Sequence, residues 1–194
     1  NNNLFKDVEK LMNNILLVTE FNRKKILERG GNPDRESLTI VKTKEDKPYY
    51  FCEDCNQYFR VYIFITDAIA HQKQVRDGQF YQSAVAFGEF ANLLAEFDAS
   101  QLYEVLPNFH NTEKRFNDFL NSLSIDKFDR AKEVQAEINF VLERKEYCKR
   151  LVNLIKTGDL PLKVTHNDTK LNNVMLDEKT DEPVAVIDLD TIMP

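Results

Sequence analysis

The stretch that begins at Val164 constrains the fold more than any other part of the chain. Val164-Thr-His166-Asn-Asp168-Thr-Lys170-Leu-Asn172-Asn173-Val-Met-Leu-Asp177 leads into a polar turn and then Val184-Ala-Val-Ile187-Asp188-Leu-Asp190. The pattern reads as strand, polar loop, strand, turn, strand, with an acid where the last strand ends. Asp168 stands five residues before Asn173 and twenty before Asp188. A short loop followed by a hairpin can therefore bring all three to one point. Side chains alternate along a strand, so Asp190 is expected on the same side as Asp188.

The spacing H-x-D-x-K-x-x-N, followed by an Asp flanked by apolar residues, fits phosphoryl transfer from Mg-ATP. Asp168 is the candidate general base for an acceptor hydroxyl. Lys170 is the candidate cation for charge on the transferring group. Asn173 and Asp188 offer the oxygen ligands that a hard cation such as Mg²⁺ prefers. Asp190 could meet a second metal or the substrate. His166 is expected to hydrogen-bond backbone around the loop and hold Asp168 in place. Asp and Asn in a polar loop are turn formers by default, and Asn172-Asn173 could be only that. The short apolar runs on both sides favour the chemical reading.

Composition narrows the partners. Net charge is −6 over 194 residues, which is unlike a phosphate-tracking nucleic-acid binder. No run approaches the ~20 apolar residues of a membrane span. The partner expected is a small molecule, with neither nucleic acid nor membrane. Cys52, Cys55 and Cys148 suit a reducing, cytoplasmic setting. Cys52-Glu-Asp-Cys55 has zinc-like spacing, but a structural zinc needs about four ligands, so a hairpin turn is the expectation.

Earlier in the chain, Leu4, Val8, Leu11, Ile15, Val18 and Ile26 predict a helix over 4–29, with a stop at Gly30-Gly31. Strands follow at 38–43, 49–52 and 58–65. The last, apolar on both faces, is expected to be central and covered. Phe80, Ala84, Phe87, Ala91, Leu94 and Phe97 form a helical stripe. Thr112 is a candidate N-cap, and 126–157 reads as a long helical stretch, with room for one break, ending at Gly158. The fold class is α+β, with a boundary at Thr66–Asp67. Residues 1–66 would be a small sheet-bearing lobe, and 67–194 a helical one.

These residues resemble the catalytic and metal-binding loops of the aminoglycoside phosphotransferase superfamily, which shares the protein-kinase-like fold. His166-x-Asp168-Thr-Lys170-Leu-Asn-Asn173, with Ile-Asp188-Leu-Asp190-Thr-Ile-Met-Pro194 and Phe109-His110-Asn111-Thr112-x-Lys-Arg115-Phe116, is similar to the N-acetylhexosamine 1-kinase branch. The resemblance implies a bilobal fold with ATP and Mg²⁺ in its cleft. Residues 4–29 would be the cleft-facing helix. Thr66, Asp67 and Ala68 would be the hinge, with backbone against adenine. His110, Asn111 and Arg115 would help bind the sugar, although a polar connector between helices explains that loop equally well. No Gly-rich phosphate loop is present, so the chain is expected to be an internal piece of a longer enzyme. Choline-, aminoglycoside- and homoserine-type kinases share the loop chemistry. A catalytically dead kinase-like binding module is the rival of another class, and the intact Asp168, Lys170, Asn173 and Asp188 weigh against it.

Overall fold

The structure is a computed structural model that describes residues 4–194. Helix α1, Val8–Glu28, opens on Asp7, whose carboxylate accepts from Lys10 N at 3.0 Å. Its apolar spacing buries Leu11, Ile15, Val18 and Ile26 on one face. Asn14 on that face is wholly buried. Its amide donates to Tyr103 O (2.7 Å) and Ile192 O (3.0 Å), and accepts from Tyr103 N (2.9 Å). Helix α2, Pro33–Glu36, is one turn, capped by Asn32 with proline at its start. Gly31 precedes it where a Cβ would sit 2.5 Å from Glu36 Oε1 and 2.8 Å from Ile26 Cγ2.

Four short strands follow: β1 Ile40–Val41, β2 Tyr50–Cys52, β3 Gln57–Phe59 and β4 Val61–Tyr62. β2 and β3 form an antiparallel hairpin with Cys52 opposite Gln57, so the Cys52–Cys55 segment is a hairpin turn. β1 pairs with β4. The expectation of one covered central strand over 58–65 is corrected here. The run divides at Arg60 between two different partners, and each pairing is a two-stranded ribbon. Phe59 is 52% exposed, Val61 58% and Phe64 81%, and only Ile65 is buried. Apolar composition on both faces gave the wrong reading because it cannot report how many neighbours a strand has.

β5, Ala68–Ile69, joins β6, Val174–Asp177, and β7, Pro183–Val186, in a three-stranded antiparallel sheet of order β5-β6-β7. Helix α3, Gln79–Leu93, packs on β6 and β7. The expected stripe is rotated. Ser83, Ala86, Phe90, Leu94 and Phe97 are buried, whereas Phe80 is 60% exposed. Two observations account for the rotation. The residues buried at 83 and 86, Ser and Ala, are small, so the buried face is not the one that carries the large aromatic Phe80. Gln79 is buried at the helix start, accepting from Val75 N and Arg76 N and donating to Asp181.

The chain forms two compact units. One runs to Val105 and resumes over Lys163–Pro194; the other is Leu106–Leu162. The second holds α4 (Thr112–Ile125), α5 (Gln135–Leu142), α6 (Lys145–Cys148) and α7 (Arg150–Thr157). Asn111, not Thr112, caps α4 by accepting from Lys114 N at 2.9 Å, while Thr112 donates to Cys148 O. The long helical stretch expected over 126–157, with one break allowed, is thus three helices with a 3₁₀ turn before them, closed by Gly158 at φ 81°. Among the described residues no helix is long and apolar enough to cross a membrane.

Candidate active site

The loop between Val164 and β6 is held from below by His166, which is 3% exposed. Its Nε2 lies 2.9 Å from Ile187 O, and its Nδ1 accepts from Asp168 N at 3.3 Å. Those partners fit one neutral tautomer, with the proton on Nε2. Burial pushes the imidazole below its usual pKa, which favours that neutral form. Phe87 and Phe90 meet the ring edge-on at 5.2 and 6.0 Å. Asn167, at φ 66°, donates to Thr165 O and Thr191 O, and Thr191 Oγ1 donates to His166 O at 2.6 Å. The loop is therefore stitched to the segment after β7 by several independent bonds. His166 does what the sequence suggested for it.

Asp168 emerges from this frame half-exposed. Its Oδ2 takes an ion pair from Lys170 at 2.7 Å and a hydrogen bond from Asn173 Nδ2 at 3.1 Å. The Lys170 ammonium, then the Asn173 amide, hold the Asp168 carboxyl below the usual carboxylate range. Asp168 in turn raises Lys170, with a smaller contribution from Asp188. Asn173 is 2% exposed, and its Nδ2 also donates to Asp168 O. With the amide nitrogen so engaged, Oδ1 is the end left for a cation.

Asp188 follows β7 in the left-handed region, φ 58° and ψ 58°. Asn173 O accepts from Ile187 N at 2.9 Å, which ties this turn to the Asn173 end of the loop. A carboxylate at such a dihedral pair costs of order 1 kcal/mol or more, and surrounding structure must hold it. Leu189, 1% exposed, and Ile192, fully buried, anchor the turn that follows it. The expectation that Asp188 and Asp190 share a strand face fails. The strand ends at Val186, and Leu189–Thr191 is a 3₁₀ turn. Asp190 instead ion-pairs with Arg60. The turn is set by the left-handed residue at 188, which periodicity cannot reveal.

Thr66, Asp67 and Ala68 lie where the ribbons give way to the three-stranded sheet, and Asp67 has φ 53°. The carbonyls of Thr66 and Asp67 are already engaged. Arg35 donates to Thr66 O and to Asp67 O, and pairs with Asp177 at 2.8 Å; Glu178 N also reaches Asp67 O. A carbonyl has two lone pairs, so one donor does not exhaust it. His110, Asn111 and Arg115 belong to the second unit. There Asn111 caps α4, Arg115 donates to Phe109 O, and the His110 ring lies 4.6 Å from that of Phe109. Sequence reasoning missed Arg35, Arg60 and Asn14, since no spacing marks a lone polar residue whose partners are remote in sequence.

Asn173 Oδ1 and the Asp188 carboxylate are hard oxygen donors. Among the described residues no cluster of three His, Cys, Asp or Glu could hold a metal unaided. Two protein oxygens fit Mg²⁺, which usually draws its remaining ligands from substrate phosphates and water. These loops fall within the match of residues 40–194 to the APH model, described as the phosphotransferase enzyme family. That match takes in well over half of the chain, and the chain therefore belongs to this family, with its protein-kinase-like α+β fold and its phosphoryl transfer to small molecules.

Proposed function

We propose that this chain carries the catalytic loops of an ATP-dependent, Mg²⁺-requiring sugar kinase that phosphorylates the anomeric hydroxyl of an N-acetylhexosamine. The observation that carries the kinase reading is Asp168, half-exposed and oriented by Lys170, Asn173 and the His166-anchored loop. Bound Mg²⁺ would supply charge neutralisation at the phosphates, held by Asn173 Oδ1 and Asp188. Asp168 accepts the acceptor's proton. While Lys170 sits on Asp168 the carboxylate is a weak base. Release of Lys170 toward developing negative charge strengthens Asp168 as it is needed.

The ribbons and α1 would form the small lobe, and the chain from Asp67 onward the larger one. Thr66–Ala68 would offer backbone to adenine. The sugar assignment, and any contact from His110, Asn111, Arg115 or Asp190, rests on the resemblance of those segments to N-acetylhexosamine 1-kinases. Choline, aminoglycosides and homoserine are the competing acceptors. The free thiols suit action in the cytoplasm.

The test is the full-length enzyme with Mg-ATP and each acceptor in turn, followed by ADP release and by phosphorus NMR of the product. A sugar 1-phosphate from N-acetylglucosamine or N-acetylgalactosamine is expected. Turnover confined to choline, homoserine or an aminoglycoside would remove the sugar assignment. No turnover with any acceptor, despite bound Mg-ATP, would favour the binding-module reading.

A further inference from the structure

Arg60 interrupts the run Tyr58-Phe-Arg-Val-Tyr62, and its guanidinium is drawn inward. Nη1 lies 3.9 Å from Met12 Sδ on α1, and the guanidinium is 5.4 Å from the Tyr62 ring centroid. Nη2 ion-pairs with Asp190 without hydrogen-bond alignment, and the two side chains are 25% and 29% exposed. One cation thus joins the cleft-side helix, the ribbons and the turn after β7.

Asp188 and Asp190 are two carboxylates two residues apart in a tight turn. Both bear electrostatically on Tyr62, so neither is remote from this cluster. Two such acids can share a cation, or one can be neutralised so that the other acts alone. The ion pair selects the second arrangement. We infer that Arg60 is a positioning residue: by tethering and neutralising Asp190 it leaves Asp188 as the single free carboxylate facing the cation. The inference rests on the proposed kinase reading for the role of Asp188. It adds a residue from outside the loop motifs and removes Asp190 from the metal ligands.

Without Arg60, Asp190 becomes an uncompensated negative charge beside the site. A unit charge ~8 Å from a divalent cation in a water-like medium changes affinity about fivefold. The probe is Mn²⁺ bound to the full-length protein without nucleotide, read by electron paramagnetic resonance, which needs no acceptor. Arg60→Met should bind Mn²⁺ about fivefold more tightly and lose about tenfold in kcat, the ion being drawn out of register. Arg60→Met/Asp190→Asn should return both values to within about threefold of wild type, and Arg60→Lys should stay near wild type. Asp190→Asn alone leaves the Arg60 charge uncompensated beside the site and should weaken Mn²⁺ about fivefold, the mirror image of Arg60→Met.

Unchanged Mn²⁺ affinity in Arg60→Met would reduce Arg60 to a structural ion pair and overturn the inference. So would a fall in Mn²⁺ affinity of about fivefold or more in Arg60→Met/Asp190→Asn, where no stranded Arg60 charge can explain it, because Asp190 would then itself be a ligand. Failure of every acceptor would sink the kinase reading while leaving the Mn²⁺ result to decide on Arg60.

Discussion

Replacing His166 by Phe separates the frame of the site from its chemistry. The substitution keeps the ring and its packing against Phe87 and Phe90, but deletes both nitrogens. Ile187 O and Asp168 N then lose their partners. Each stranded polar group costs about 1–3 kcal/mol when buried, and these are part-buried, so a loss of about 2–4 kcal/mol is expected. Urea denaturation of wild type and variant measures it. Activity should fall as well, because the Asp168 backbone loses its tether.

The pH dependence has a definite sign. Burial depresses the folded-state pKa of His166, so the unfolded chain takes up its proton first. The stability that neutral His166 contributes is whole above the ordinary value near 6.5. It drains as pH falls through that value toward the depressed one. His166→Phe has no such proton to gain, so the gap between wild type and variant should narrow from pH 7.5 to 5. A stability loss under ~0.5 kcal/mol would refute the two-bond reasoning. A gap that widens in acid would mean the folded protein holds His166 protonated, and the tautomer assigned above would fall.

Other changes test other parts of the structure. Asp168→Asn should lower kcat by about 10²-fold or more with little change in nucleotide binding, since the base acts on the acceptor's proton; equal loss of ATP affinity would contradict that role. Gly31→Ala should destabilise by about 1–3 kcal/mol, because the new methyl meets Glu36 and Ile26 at contact distances too short to relax freely; thermal melting decides. The Tyr62 hydroxyl is buried without a partner, and burial pushes its pKa up to about 12. Tyr62→Phe should therefore be neutral or stabilising by up to about 1 kcal/mol, and a clear loss of stability would show a partner for that hydroxyl.

The sequence made the site more legible than the small lobe. His166, Asp168, Lys170 and Asn173 lie within eight residues of one another, so one loop's local geometry fixes their meeting. The β6–β7 hairpin was readable for the same reason. What misled was anything decided by distant partners. The run 58–65 looked covered because its composition is apolar, yet pairing divides it at Arg60. The stripe on α3 was misplaced because large aromatics drew attention away from Ser83 and Ala86, which are buried. Asp190 was placed beside Asp188 by strand periodicity, and one left-handed residue cancelled that periodicity.

The three hydrogen bonds at Asn14 have a consequence for control. They fasten the middle of α1 to the Tyr103 backbone and to Ile192, four residues beyond Asp188. Swinging α1 away would break all three, one of them fully buried and two part-buried. At roughly 1 kcal/mol each, that alone makes the displaced arrangement rarer by on the order of 10²-fold. A helix latched in this way is a poor target for a messenger that works by shifting it. An arrangement reached by moving α1 would have to recover that cost from contacts made elsewhere, so a ligand could favour it only by binding it at least that much more tightly.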